Sequence, residues 1–244
     1  MSFSRIDSHQ HFTREYLPTL LLPILKRNRF EGTVVVCEQA AVEENRWLLA
    51  LAAEHEFIRG VVCGVDLGDA ALPALLDEFQ GHAKFRGVYA DGGSAAEIER
   101  RGLTLDMPPR LGAAARIAAA HSTLRIAIDH VGRPSLMRES LDELPVLARF
   151  PNVFVKLSGF VTDAPTQWKA EEFAPWARAA LAAFGAERVM YGSDWPSYLP
   201  EGTWKEALAA FTQAIGAQSL ETREHLLGGT AQRFYRLSSG AAAS

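Results

Sequence analysis

Eight short β-like runs alternate with stretches whose apolar residues recur at helical spacing. No other feature of the chain constrains its fold as tightly. The runs are Arg5–His9, Gly32–Glu38, Ile58–Val65, Phe85–Tyr89, Leu103–Met107, Leu124–Asp129, Val153–Leu157 and Arg188–Gly192. Between them, Val42–His55 turns its apolar face through Trp47, Leu48 and Leu51, and Ala70–Gln80 uses Leu72, Leu75, Leu76 and Phe79. Pro108–Ala120 opens with two prolines, which suit a first helical turn, and Trp204, Leu208, Phe211 and Ile215 recur at helical spacing. Strand–helix alternation predicts parallel βαβ units. Eight units in 244 residues predict a single-domain α/β fold, a (β/α)8 barrel, over an open doubly wound sheet. The unit between the fourth and fifth runs is thin, with only Ala95–Arg101 able to supply a helix. The domain is expected to span residues 1–237, with 238–244, small and polar, as a flexible tail.

A core of that size needs apolar residues, and they make up 48% of the chain. The formal net charge is −4 and no basic stripe is visible, so no nucleic-acid partner is expected. Cys37 and Cys63 sit in apolar runs and read as buried free thiols of a reducing compartment. No basic-then-apolar leader pattern precedes the first run. The most apolar stretch, Leu17–Leu25, contains Pro18 and Pro23 and is too short to span a bilayer. A cytoplasmic protein without a membrane partner is expected, and homo-oligomerisation is left open.

In a (β/α)8 barrel the carboxyl ends of the strands build the active site. The first run ends in His9-Gln10-His11, and side chains two apart on a strand share a face. The sixth ends in His130, whose parity with Ile126 and Ile128 is expected to aim it inward. The eighth is followed by Asp194, in parity with Met190 and Gly192. Each signal has a plainer reading. His-x-His could be structural, His130 could be a satisfied loop histidine, and Asp194 could cap the next helix. The convergence of all four on one barrel mouth is what favours a site.

The segments "IDSHQHF", "IDHVGRP", "VKLSG", "YGSDWP" and "LLGGTAQRFYRL" resemble the amidohydrolase superfamily. Within it they resemble the amidohydrolase-2 branch of sugar-lactone and pyrone-dicarboxylate lactonases, in the same order from about residue 5 to 237. The resemblance implies a distorted (β/α)8 TIM barrel and a hydrolase that opens a lactone ring of a sugar acid or an aromatic-degradation intermediate. It also implies that His9, His11, His130 and Asp194 are the catalytic set. Asp194 would act as general base, and the three histidines would polarise the carbonyl. An alternative is a zinc-dependent hydrolase or decarboxylase of the same superfamily.

The metal shell is incomplete. The fourth run offers Tyr89 or Asp91 where a two-metal site needs a bridging Lys or Glu, and the fifth offers only Asp106. The expectation is therefore no obligatory metal, with one divalent zinc held by His9, His11 and Asp194 if a metal binds. The partner is a small-molecule substrate. Tyr89, Lys156, Trp195 and Gln10 are candidate substrate contacts, although Lys156 could instead form an ion pair inside the barrel, and Trp195 and Gln10 could be packing. Tyr89 stands where relatives often carry a carboxylate-gripping arginine, which favours a neutral sugar lactone. Arg133 could compensate. Asp7 could orient an imidazole or bond strand backbone. Thr230, in "GGT", is expected in a helix-start cap. Glu38 and Gln39 are assigned a polar contact at the end of the second run.

Overall fold

A computed structural model describes residues 3–131, 141–162, 164 and 168–238. Eight strands form one parallel sheet in the order β1 to β8: Ile6–Gln10, Gly32–Val36, Ile58–Gly64, Phe85–Tyr89, Thr104–Met107, Arg125–Ile128, Val153–Leu157 and Val189–Tyr191. Every neighbouring pair runs parallel. The barrel closes imperfectly between β8 and β1. There a single bridge, Gln10 to Trp195, replaces a ladder, joined by the bonds from Asp194 N–H to the His9 carbonyl (2.9 Å) and from His11 N–H to the Trp195 carbonyl (2.7 Å). This is the (β/α)8 barrel expected from the alternation, with the distortion that the resemblance implies.

Helices α1 (Pro18–Arg27), α2 (Val42–Glu54), α3 (Leu72–Gln80), α4 (Ala96–Arg100) and α5 (Leu111–Ala120) follow strands β1 to β5 in turn. The apolar stretch with two prolines is α1, in which Pro18 lies in the first turn, where its missing N–H removes no helical bond. As the sequence predicts, α4 is a five-residue stub. The short α6 (Leu144–Leu147) and the longer α7 (Ala174–Phe184) follow β6 and β7, and α8 (Trp204–Ile215) and the short α9 (Leu220–Glu224) follow β8. Thr203 and Glu206 form a reciprocal capping box at the start of α8, so the next helix is capped by Thr203 and Asp194 is free for another role.

Two apolar clusters organise the core. The larger lies between sheet and helices and includes Leu21, Leu48, Leu76, Ile126, Ile128 and Phe211. The smaller fills the barrel and joins Ile6, Val34, Val36, Val62, Ala127 and Met190 to Phe234 and Tyr235 of α10 (Thr230–Tyr235). Burying each large apolar side chain contributes about 1.5–3 kcal/mol, so α10 stabilises the barrel by plugging it from the strand-start end. Above this plug the interior turns polar, with Asp106, Asp129 and Lys156 wholly buried. Thr230 does not cap α10. Its hydroxyl donates to the Ala186 carbonyl at 3.0 Å, tying the helix to the approach of β8. Among the described residues no helix is long and apolar enough to cross a membrane. Cys37 and Cys63 are buried and unpaired as disulfides.

Candidate active site

Local backbone irregularities aim the histidines and Asp194. In β1 two residues, Ser8 and His9, lie between the pairing positions Asp7 and Gln10, while in β2 only Val34 lies between their partners Thr33 and Val35. The extra residue lets both Ile6 and His9 face the barrel interior, with His11 on the same side. In β6 the parity argument is corrected. Ile126 and Ile128 pack outward against helices, whereas Ala127 faces in. His130 still reaches the pocket, because it takes a left-handed backbone (φ 58°) that turns the chain at the strand end. Asp194 does the same (φ 64°). His and Asp are among the non-glycine residues that tolerate this region best. Gly192 is needed where β8 passes under the site: a Cβ there would lie 2.6 Å from the His9 Cβ and 3.0 Å from that of Ser158.

The four side chains singled out from the sequence meet, and a fifth joins them. His9 Nε2 lies 3.2 Å from His11 Nε2, and His11 Nε2 lies 3.2 Å from Asp194 Oδ1. His9 Nε2 is 3.9 Å from the same carboxylate oxygen. The rings of His9 and His130 meet edge to face at 4.5 Å. The fifth member is Glu38, just past β2, whose Oε1 accepts from His130 Nε2 at 2.9 Å and lies 3.6 Å from His9 Nε2. The inward parity of Val34, Val36 and Glu38 was the available signal for it.

Each member has a fixed partner behind it. The His11 Nδ1 proton goes to the Val36 carbonyl at 2.8 Å, since a carbonyl can only accept. His130 Nδ1 faces the Ser158 hydroxyl at 3.2 Å. Asp194 Oδ2 accepts a 2.6 Å bond from the buried Thr162 hydroxyl. His9 Nδ1 faces Lys156 Nζ at 3.2 Å and Asp129 Oδ2 at 3.0 Å. Asp7 does not orient an imidazole ring. Its Oδ1 accepts the backbone N–H groups of Ser193 (2.8 Å) and His9 (3.3 Å), stitching the two strand ends together.

The charges are polarised by these contacts. Burial pushes Asp194 up, but the His130 and His11 charges and the His11 hydrogen bond outweigh it and hold the carboxyl well below the usual range. Burial likewise raises Glu38, and the His130 bond with the His11, His130 and His9 charges overrides it. Burial lowers His11, yet the bond to Asp194 and the charges of Glu38 and Asp194 lift it to about 9. Burial lowers His130 too, and Asp194, Glu38 and Asp129 raise it. His9 goes the other way, pushed well below its ordinary value by burial, Lys156, His130 and His11. These contacts favour the charged forms of Asp194, Glu38, His11 and His130 and the neutral form of His9.

A cavity of about 760 Å3 opens beside the cluster. His11 and Glu38 lie on its wall, which continues through Phe12, Arg14, Tyr16 and Glu44 to Pro196 and Leu199. The candidate substrate contacts divide. Tyr89 ends β4, half-buried, near the charges of Glu38 and Asp129. Neither Tyr89 nor Lys156, Gln10 or Trp195 is on the wall of that cavity. Lys156 is wholly buried and bonded to Asp106 and Asp129, because its interior position on β7 places it between two carboxylates. Gln10 is wholly buried on β1, and Trp195 packs edge to face on Phe12 and Tyr16. Arg133 lies outside the described residues. His121 pairs with Glu99 at 2.8 Å, away from the cluster.

The donor set fits a divalent cation on spacing. Two triads, His9–His130–Asp194 and His9–His11–Glu38, each offer three ligand atoms within 4.8 Å of one another. Ligands about 2.0–2.1 Å from a tetrahedral zinc sit about 3.3 Å apart, close to the 3.2 Å separations at His11.

Known proteins resemble this chain in sequence and in fold. The family described as amidohydrolase matches residues 95–237. An L-fucono-1,5-lactonase of Burkholderia ambifaria is 30% identical, covering 96% of both chains, and one of Burkholderia multivorans is 30% identical, covering 97% of both. Among solved structures, an amidohydrolase of Burkholderia multivorans with bound zinc superposes with a TM-score of 0.86 at 28% identity, over 96% of this chain and all of that one.

Proposed function

The chain belongs to the amidohydrolase family, in its lactonase-like branch, and from that premise we propose that it hydrolyses the lactone ring of a sugar acid. The observation that carries the reading is the meeting of His9, His11, His130, Glu38 and Asp194 at the strand ends, with Asp194 fixed from behind by Thr162. The lactonase names of the Burkholderia relatives support the bond type. Tyr89, a neutral hydroxyl near Glu38 and Asp129, supports a neutral polyol ring over a dicarboxylate.

Asp194 would accept a proton from water as its oxygen bonds to the lactone carbonyl carbon. His9 donates from Nε2 toward the carbonyl oxygen as it gains charge, with the cationic His11 and the ring of His130 beside it. Each preorganised donor of this kind is worth about 2.7–4 kcal/mol in the transition state. The ring C–O bond then breaks, Asp194 returns the proton to the leaving alkoxide, and an open hydroxy acid forms. Its ionisation releases a proton that an indicator can follow. A divalent metal, if held by His9, His11 and Asp194, would supply Lewis acidity to the carbonyl oxygen and acidify water.

The test is a library of lactones screened by pH indicator, with and without chelator. Turnover of sugar-acid lactones is expected. Hydrolysis of no lactone under either condition would overturn the reading.

A further inference from the structure

The wall of the cavity beside the cluster carries a charged pair that the proposed mechanism does not use. Arg14 lies in the loop after β1 and Glu44 in the first turn of α2, and both line the cavity together with His11 and Glu38. Arg14 Nη2 donates to Glu44 Oε2 at 3.3 Å, and the guanidinium lies over the Trp47 ring, 3.7 Å from its centroid. Glu44 and Trp47 are three apart on α2, so one helix face supplies both partners. The loop that carries Arg14 is fixed by its own turn. Thr13 N–H donates to the Tyr16 carbonyl at 3.2 Å, and the Thr13 hydroxyl accepts from the backbone N–H groups of Glu15 (3.3 Å) and Tyr16 (3.1 Å). We propose that Arg14 and Glu44 are specificity-determining residues, a paired donor and acceptor that grip neighbouring hydroxyls of a neutral, polyhydroxylated lactone.

A guanidinium carries five N–H donors in one plane and accepts nothing, and a carboxylate only accepts. Stacking on Trp47 covers the face of that plane and leaves its N–H groups uncommitted. Among the described residues Arg14 makes no hydrogen bond except the one to Glu44, and Glu44 Oε1 makes none. A ring hydroxyl can accept from Arg14 while its neighbour donates to Glu44, so a polyol satisfies both members without separating them. The stack also restrains the long Arg14 side chain, which lowers the ordering cost of binding. The two side chains are 62% and 35% exposed, so a ligand can reach them. An ion pair this open contributes little to stability, and the fold does not depend on it. Charge selects against an acidic ligand. The wall sets Glu15, Glu38 and Glu44 against Arg14 and His11, and a carboxylate that approached Arg14 would meet Glu44 beside it. A lactone ring without hydroxyls would displace water from both charged groups and return no partner, which is how a polar site rejects an analogue. The inference rests on the lactonase reading above and deepens it by naming the residues that read the hydroxyls.

Hexono-1,5-lactams carry the ring and hydroxyls of the proposed substrates on a bond that resists hydrolysis, and δ-valerolactam is the same ring without hydroxyls. Titration calorimetry on the full chain, with D- and L-hexonolactams, should find one that binds more tightly than δ-valerolactam. R14M keeps an apolar stem on Trp47, and E44Q keeps the shape of the carboxylate. Each should cut that preference about 10-fold, the scale of one lost hydrogen bond to a charged group. On lactones the same preference, read as kcat/KM for the matching hexono-1,5-lactone over δ-valerolactone, should fall alike and through KM. An undiminished preference in either variant overturns the proposal. So does an equal loss for both rings, the mark of a merely structural pair, and so does binding of no hexonolactam by the unmodified protein. Lactam binding that depends on Arg14 and Glu44, without lactone turnover in the unmodified protein, would instead strike the functional reading and leave this one standing.

Discussion

Replacing Thr162 with valine tests how the general base is held. The Thr162 hydroxyl donates 2.6 Å to Asp194 Oδ2, and both residues are buried, at 6% and 1% exposure. Valine has nearly the same shape, so T162V removes the donor without opening a cavity. A hydrogen bond to a charged group is worth about 1.5–3 kcal/mol, and the abandoned oxygen has no solvent to turn to. For a domain of this size about 2 kcal/mol corresponds to a fall in Tm of roughly 4–8 °C. Asp194 also becomes free to rotate toward His11, so kcat should drop about 10–100-fold, as for other partners that orient site residues. T162S keeps the hydroxyl and should restore most of both. The assay pairs thermal melts with lactone kinetics on the three proteins. A T162V protein as stable and as active as the unmodified one would refute the argument that this bond fixes the base.

Three further outcomes follow from the electrostatics. Burial raises the Asp7 carboxyl to about 6 against hydrogen bonds from Ser193 and His9. Its contribution to stability is therefore full below the unfolded value of about 3.9 and lost as pH rises through 6. D7N keeps the Oδ1 acceptor and should erase that decline in a Tm–pH series, and parallel curves for the two proteins would count against it. For His11, lifted to about 9, stability is present below about 6.5 and lost as pH rises through 9; H11Q should flatten the melt profile across that window, and an unaltered slope would contradict the His11–Asp194 pairing. E38Q removes the charge that His130 faces and should lower the His130 imidazole pKa in an NMR titration, with a loss of activity on the order of 10-fold; an unmoved titration would show that Glu38 does not govern His130.

All eight strands were legible because each is a short apolar run between polar turns, and their ends fall within about two residues of the predicted runs. Helices α6 and α7 carry no such clear period, since one is four residues long and the other is largely alanine. His9 and His11 could be read as a pair from their spacing. His130 was placed correctly by an argument that fails in detail: parity puts Ile126 and Ile128 outside, and only the left-handed turn at His130 brings it in. Such a turn has no period to read. Glu38 was read as a polar contact at the end of the second run, and its place as the next inward residue after Val36 is the signal that would have joined it to the cluster. Thr162 was not, because it lies in the segment after β7 and meets Asp194 only through tertiary structure. Of the two roles open to Lys156, substrate contact or ion pair inside the barrel, it takes the second, because the neighbouring strands supply Asp106 and Asp129 at its level.

The central claim is that Asp194 moves the proton when water opens the ring. Single-turnover hydrolysis of a sugar-acid lactone by D194N, in protein shown to be folded by circular dichroism, tests it most directly. Loss of the base should slow the step by about 10²–10⁴-fold while substrate still binds. A D194N protein that opens the ring at the unmodified rate would contradict the account.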